Sequence, residues 1–316
     1  MKIKKLGLYK DNVPQGVDNL YPTPPDAFKQ PCLQMVVGQR TSGKSYLTSI
    51  MLDQASRDKT FNTHYIVTPS FNSNRAYFGR YIKECNVFEP TKTSISEVIC
   101  LVERERDEWE QFQADLLLWN EFNKDRDRLE NVNAYQLLQY YDLGFLDKQE
   151  RPTWKYEIEE PPKSLLILDD CLGSPAITRS SGLTRIATLN RHIAPMKQDY
   201  NGRSACGLAV IILTQTYRMN NGISRCLREN VSLLTLFKNK QEKQINAIKE
   251  ELANVVELDL FDKAYEYAVK EKHGNLTVDF NPKCLTKQFR KNLNEVIQFD
   301  EIKCECKKGT PLRPLK

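Results

Sequence analysis

One eight-residue segment constrains this chain more than any other feature. Residues 38–45 read Gly-Gln-Arg-Thr-Ser-Gly-Lys-Ser and satisfy every fixed position of the pattern G-x-x-x-x-G-K-[ST]. Apolar residues 33–37 precede it, and residues 46–55 carry apolar side chains at helical spacing. In such a strand–loop–helix unit, successive backbone N–H groups face one phosphate, and the helix N-terminus adds its positive end. The sequence therefore predicts a phosphate-binding loop made of Gly38, Gln39, Arg40, Thr41, Ser42, Gly43, Lys44, Ser45 and Tyr46.

The loop predicts a nucleoside triphosphate and Mg²⁺ as cofactors. Lys44 is placed to reach the β- and γ-phosphates, and Ser45 is placed to hold Mg²⁺. Such a site also needs a carboxylate at the end of a neighbouring apolar strand. Residues 164–168 form that strand and lead directly into Asp169 and Asp170. We expect Asp169 to contact Mg²⁺ through water, and Asp170 to orient or deprotonate the attacking water.

The apolar segments predict an α/β fold. Short apolar runs alternate with segments of helical pattern, which is typical of a mostly parallel sheet covered by helices on both faces. The last of these runs is expected to be an edge strand. The predicted strands are residues 33–37, 64–68, 164–168, 209–213, 231–237 and 276–280.

A polar strand end and several arginines are further candidates for the site. The strand at 209–213 runs into Thr214 and Gln215, and strand carboxyl ends line the ligand crevice of a parallel sheet. Gln215 is therefore expected to sense the γ-phosphate or the attacking water. An arginine from a neighbouring subunit can stabilise transition-state charge. The candidates are Arg191, Arg218, Arg225 and Arg228.

Charge divides the chain unevenly. The chain has 46 Lys/Arg and 41 Asp/Glu residues. Residues 101–160 contain 8 of the basic residues and 16 of the acidic residues. A basic body with an acidic, helix-forming insertion favours a polyanionic partner for the body, although ordinary surface charge would look similar. We divide the chain into a proline-containing extended arm (1–30), a nucleotide-binding domain (31–282) that contains the insertion, and a tail (283–316) with 9 basic and 4 acidic residues.

The remaining composition places the chain inside a cell. No apolar run reaches the roughly 18 residues of a membrane-spanning helix, and the basic N-terminus lacks the apolar core of a secretory signal. The nine cysteines show no disulfide spacing. Cys284, Cys304 and Cys306 could form a zinc site with His273, but the paired spacing of structural zinc sites is absent.

The order of the motifs resembles that of the viral genome-packaging ATPases of the HerA–FtsK superfamily. The matching segments are GQRTSGKS at 38–45, YIVTPSFN at 65–72, LLILDDC at 165–171, NRH at 190–192, VIILTQTYR at 210–218, and REN at 228–230, which leads into SLLTLFK. The resemblance implies a RecA-like P-loop ATPase that moves double-stranded DNA into a preformed capsid. It also implies that Arg191 is the arginine finger. The family gives no role to the insertion at 101–160.

The resemblance implies a set of partners and a location. They are double-stranded DNA, further copies in a homo-oligomeric ring that is most simply a hexamer, and a capsid or portal vertex protein. We expect no direct membrane insertion, and a location in the host cytoplasm, a virus factory or the virion.

Three other functions stay open at this point. A cellular or plasmid DNA translocase of the same superfamily would share these motifs. A GTPase is suggested by Asp170-Cys171-Leu172-Gly173, which fits the pattern D-x-x-G, and by Asn239-Lys240-Gln241-Glu242, which approaches N-K-x-D. Guanine recognition requires an aspartate at the position that Glu242 occupies. A scaffold that binds nucleotide without hydrolysing it is disfavoured by the two intact aspartates.

Overall fold

The computed structural model describes residues 18–218, 222–253 and 255–300. Strands and helices follow the apolar pattern of the sequence. The strands are β1 (Leu33–Val37), β2 (Thr63–Val67), β3 (Val87–Phe88), β4 (Ser164–Asp169), β5 (Pro195–Tyr200), β6 (Arg203–Ala205), β7 (Leu208–Thr214), β8 (Leu233–Phe237), β9 (Asn275–Asp279), β10 (Phe289–Lys291) and β11 (Glu295–Ile297). The helices are α1 (Lys44–Arg57), α2 (Phe71–Phe78), α3 (Ser94–Asp125), α4 (Ala134–Asp142), α5 (Pro175–Thr178), α6 (Ser181–Leu189), α7 (Arg225–Glu229), α8 (Glu242–Leu252) and α9 (Leu258–Ala268).

Nine strands form one sheet in the order β11-β10-β9-β8-β1-β7-β4-β2-β3. The six strands from β8 to β3 are all parallel, so their carboxyl ends meet at one edge. Strand β7 lies between β1, which precedes the phosphate loop, and β4, which ends in Asp169. This order brings the ends of three motif-bearing strands side by side.

Helices cover both faces of the sheet. Leu47 and Leu52 of α1 and Phe78 of α2 pack against one face. Helices α3, α6, α7, α8 and α9 pack against the other face, where the larger hydrophobic core lies. The mostly parallel sheet covered by helices on both faces, which the sequence predicts, is confirmed.

The end of the sheet differs from the sequence prediction. Strand β9, expected as the edge strand, pairs with β8 on one side and with β10 on the other, both antiparallel. Strands β10 and β11 lie within residues 283–316, which the sequence analysis assigned to a tail. Both strands have only three residues and carry charged side chains, so no apolar alternation marks them.

The acidic insertion is helical, as expected, but it begins inside a longer helix. Helix α3 has 32 residues, and its first turns bury Ile95, Val98 and Val102 in the main core. Farther along the helix, Phe122 packs in a separate small cluster with Tyr140 on α4 and Phe145 in the turn after α4. The boundary drawn at residue 101 therefore falls within one continuous helix.

Candidate active site

The phosphate loop connects β1 to α1 by a curled backbone. Gly38 N donates to the carbonyl of Thr214 on β7 at 3.0 Å, which fixes where the loop starts. Thr41 and Gly43 have positive φ angles of 63° and 108°. A Cβ at Gly38 would lie 2.4 Å from the Ser42 hydroxyl, so only glycine fits there. The loop therefore leads into the N-terminus of α1 with the geometry that binds a phosphate.

The side chain of Lys44 folds back onto the start of this loop. Its Nζ donates to the carbonyls of Gly38 at 2.7 Å and Gln39 at 3.1 Å. Burial lowers the pKa of Lys44, and the charges of Asp169 and Asp170 oppose that shift. A partly buried ammonium group held by neutral carbonyls is well placed to take a phosphate oxygen as a stronger partner.

The two aspartates lie at the end of β4 in different environments. Asp169 is 4% exposed, and its Oδ2 accepts a hydrogen bond from Asn74 Nδ2 at 2.9 Å. Burial, with the charge of Asp170 second, raises the pKa of Asp169 to about 6. Asp170 is exposed and has a left-handed backbone, with φ of 53°.

This carboxylate pair fits a divalent cation. Among the residues that the structure describes, no lysine or arginine nitrogen lies within 4.0 Å of either carboxylate. A buried carboxylate without a cationic partner is costly. Mg²⁺ prefers carboxylate, phosphate and water oxygens, so Asp169 and Ser45 are the residues that would hold it.

Gln215 contacts the second aspartate of the pair. It follows the last residue of β7, and its Nε2 donates to Asp170 Oδ1 at 3.2 Å. One open cavity of about 840 Å³ is lined by Lys44, Ser45, Asp169, Asp170 and Gln215. The structure thus brings together the residues that the sequence assigned to phosphate, metal and water. Arg40, Thr41, Ser42, Gly43 and Tyr46 line the same cavity.

Asn74 and His273 are among the further lining residues that the sequence analysis did not assign to this site. Asn74 is on α2, which follows the carboxyl end of β2, so the rule that selected Gln215 also applies to it. His273 precedes β9, and its Nδ1 lies 2.9 Å from the carbonyl oxygen of Ser42. Because a carbonyl only accepts, Nδ1 is the donor. No local pattern marks His273, because β9 is antiparallel to its neighbour.

Arg191 lies at the opposite end of the sheet from the phosphate loop. Its turn, Asn190–His192, contacts the start of β7, where Asn190 Nδ2 donates to the carbonyl of Leu208. The loop follows the other end of β1, a strand length of roughly 17 Å away. Arg191 therefore does not reach the loop of its own chain, and a role at a phosphate requires a neighbouring copy.

The other candidate arginines follow β7. Arg228 is held by Glu251 through a bidentate ion pair and donates to the carbonyl of Ile223, so its role is structural. Arg225 is largely exposed and pairs with Glu229. Arg218 is exposed and lies 3.6 Å from Glu250.

The zinc alternative gains no support from the described residues. No group of three potential metal ligands occurs in this part of the chain. His273 is at the phosphate loop, and Cys304 and Cys306 lie outside the described residues.

Within the part of the chain that the structure describes, no helix is both long and apolar enough to span a bilayer.

Comparison with known proteins gives matches only among solved structures. No protein-family model and no curated protein matches the chain. The chain is similar to the genome packaging NTPase B204 of Sulfolobus turreted icosahedral virus 2, with 14% identity, a TM-score of 0.44, and coverage of 83% of this chain and 96% of that chain.

Two further solved structures are similar to the chain. EssC of Geobacillus thermodenitrificans has 14% identity and a TM-score of 0.36, with 76% of this chain and 42% of that chain covered. The pCW3 conjugation coupling protein TcpA has 14% identity and a TM-score of 0.39, with 80% and 64% covered.

Proposed function

We propose that this chain hydrolyses ATP to move double-stranded DNA, and that it packages a viral genome into a preformed capsid. The observation that carries the ATPase part is the meeting of Lys44, Asp169, Asp170 and Gln215 around one cavity at the carboxyl edge of the sheet. The packaging part is supported by the resemblance of the motif order to viral packaging ATPases.

Each group in the cavity has a distinct part in hydrolysis. The loop N–H groups and Lys44 bind the β- and γ-phosphates, while Ser45 and Asp169 hold Mg²⁺. Asp170 orients the water that attacks the γ-phosphate, and Gln215 holds Asp170 through its amide. Since Gln215 directly follows Thr214, the last residue of β7, whose carbonyl binds Gly38, a change at the γ-phosphate can pass through β7 to the rest of the sheet.

The DNA and oligomer parts rest on charge and on the placement of Arg191. Outside residues 101–160 the chain holds 38 Lys/Arg against 25 Asp/Glu, a balance that suits a phosphate backbone contacted without regard to sequence. Arg191 is remote from the loop of its own chain, so a complete site takes it from the next copy. A head-to-tail contact of this kind closes into a ring, most simply a hexamer. We further propose a capsid or portal vertex protein as a partner and the host cytoplasm or a virus factory as the location. Both rest on the resemblance of the motif order to viral packaging ATPases.

Phosphate release tests this proposal. The wild-type chain is measured with ATP or GTP, each with and without double-stranded DNA. We expect ATP to be preferred and DNA to raise the rate. Asp170→Asn should bind ATP with nearly unchanged affinity and hydrolyse it orders of magnitude more slowly, because only the transition state needs this carboxylate. A strong preference for GTP, or ATP binding with no hydrolysis by the wild type, would overturn the proposal.

A further inference from the structure

A second cavity lies on the face of the sheet that α1 covers. Its volume is about 430 Å³, within the range of small-molecule sites. It shares none of its lining residues with the nucleotide cavity. The walls come from the second half of α1, from residues 23–30, from β10 and from the turn after β10. Apolar wall residues include Ile50, Met51, Phe61, Leu165 and Leu293.

The cavity also has polar lining residues, and among them Arg290 is a buried cation. Arg290 is 7% exposed and stacks over the ring of Phe28, with 4.2 Å between the guanidinium carbon and the ring centroid. Its Nη1 donates to the backbone carbonyl of Asp26 at 2.6 Å. Its Nε is buried and has no hydrogen-bond acceptor among the described residues. The guanidinium group is thus only partly satisfied by the protein.

No carboxylate compensates the charge of Arg290 at close range. Within the part of the chain that the structure describes, Arg290 forms no ion pair, and the carboxylate of Asp26 pairs with Lys287 at 2.6 Å instead. Burial lowers the pKa of Arg290, and the more distant charges of Asp279 and Asp26 only partly oppose this shift. A buried arginine with an unpaired N–H and no carboxylate in direct contact is costly, and a bound anion would reduce this cost.

We propose that this cavity binds an amphipathic anion, a small molecule with an apolar body and one terminal carboxylate or phosphate group. The body packs among the side chains of α1 and the Leu293 turn. The head group accepts hydrogen bonds from the guanidinium of Arg290, whose fork of N–H donors suits either oxyanion. Charge complementarity at Arg290 selects the head group, and the apolar side chains of the wall favour a ligand with an apolar body. The site is independent of the proposed nucleotide site.

Calorimetric titration of the full chain tests this proposal. The probes are decanoate, decyl phosphate and the uncharged decanol, all below their micellar concentrations. We expect one molecule of either anion to bind per chain. Comparing the affinities of decanoate and decyl phosphate shows which head group is preferred. Decanol should bind about tenfold more weakly or worse, because a charge-assisted hydrogen bond is lost. Saturating ATP should leave the binding unchanged.

Two variants assign the binding to this cavity. Arg290→Met should reduce the affinity for both anions to that for decanol, whereas Arg185→Met, at an exposed arginine that pairs with Glu103, should leave it unchanged. Ala55→Phe, on the half-buried wall of α1, should block binding without removing the charge. Thermal melting and ATP binding verify that each variant is folded.

Several results would overturn the proposal. These are equal affinities for decanol and decanoate, undiminished binding by folded Ala55→Phe, displacement of the anion by ATP, and no binding to the folded wild type at millimolar concentration. If Arg290→Met does not fold, the decanol comparison and Ala55→Phe still decide.

Discussion

The two ends of the parallel strands are built differently. At the carboxyl end, the side chains predicted from the sequence lie at or directly after the ends of their own strands: the loop after β1, the aspartates of β4, and Gln215 after β7. At the amino end, the structure comes from segments that are far apart in the chain. The carboxyl end can therefore be read from local sequence, whereas the amino end depends on long-range packing.

Asn19 and Tyr21 show how the amino end is assembled. Asn19 Oδ1 accepts hydrogen bonds from the backbone N–H groups of Ser204 and Ala205, about 185 residues away. Tyr21 donates to the carbonyl of Gly207, and the guanidinium of Arg203 lies 4.7 Å from its ring centroid. These polar groups have structural partners, and Arg191 lies on the same side with a half-buried side chain. We therefore expect variants at the two ends to fail in different ways.

The largest effect is expected at the carboxyl end. Lys44→Ala removes the cation that binds the β- and γ-phosphates, so turnover should fall to background and ATP affinity should drop with it. Lys59→Ala, at an exposed lysine that pairs with Glu157, is the matched control and should keep the wild-type rate. Phosphate release and equilibrium ATP binding measure both quantities. A Lys44→Ala protein that still turns over ATP would remove the loop from the proposed mechanism.

Arg191→Ala should affect the rate almost as much, but through the neighbouring copy. We expect ATP binding to persist and hydrolysis to fall by about 10³–10⁵-fold, the range for arginine fingers in other P-loop enzymes. Mixing this variant with Lys44→Ala should restore some activity, because some interfaces then pair an intact loop with an intact arginine.

Two checks make the mixing experiment decisive. Subunit exchange is shown separately by labelled copies, and the mutant ratio is titrated to detect a ring that one dead site stalls. If copies exchange and activity stays at background at every ratio, Arg191 has no role across the interface, and Arg225 becomes the next arginine to test.

Asp169→Asn should stabilise the metal-free protein at neutral pH. The folded-state pKa of Asp169, about 6, is above its ordinary value of 3.8, so the folded state binds this proton more tightly than the unfolded state does. At pH 8 the buried carboxylate is ionised and costs stability, and an amide there should raise the free energy of unfolding by about 1–3 kcal/mol.

The sign of this effect gives a pH signature. The gain from Asp169→Asn should shrink as the pH falls through about 6 and vanish near the ordinary value of 3.8, where the wild-type carboxyl is protonated in both states. Denaturant titration with EDTA present, repeated along this pH range, measures it. A constant gain at every pH would show that the charge of Asp169 is not the cause.

The smallest effect is expected at His273. His273→Ala removes one hydrogen bond to the carbonyl of Ser42 and should weaken ATP binding about fivefold with little change in the maximal rate. His273→Asn should largely restore affinity, because its amide can donate to the same carbonyl and asparagine tolerates the positive φ of 65° at this position. Equal affinities for the alanine and asparagine variants would exclude the hydrogen bond as the cause.

The fold and most of the candidate site follow from strand-end patterns. The apolar runs that became β1, β4 and β7 each lead directly into polar residues, and a parallel sheet has to place those residues together. Asn74 belongs to the same class. It lies just beyond the segment 65–72 of the motif order, and its separation from the end of β2 hid its contact with Asp169.

The features that sequence did not reveal depend on packing between distant segments. Strands β10 and β11 are too short and too charged to show a strand pattern, and β9 pairs with β10 only because the chain turns back after it. His273 and the cavity at Arg290 both arise from this late part of the sheet. The position of Arg191 at the amino end also became visible only when β7 was placed beside β1.

Movement along DNA is the most direct test of the proposed function. A third DNA strand bound in a triplex at one end of a linear duplex reports translocation when a motor displaces it. The proposed function predicts that the wild-type chain displaces this strand only when ATP is present, and that Lys44→Ala and Asp170→Asn fail to do so. ATP hydrolysis that is stimulated by duplex DNA without any displacement of the third strand would contradict a translocating motor.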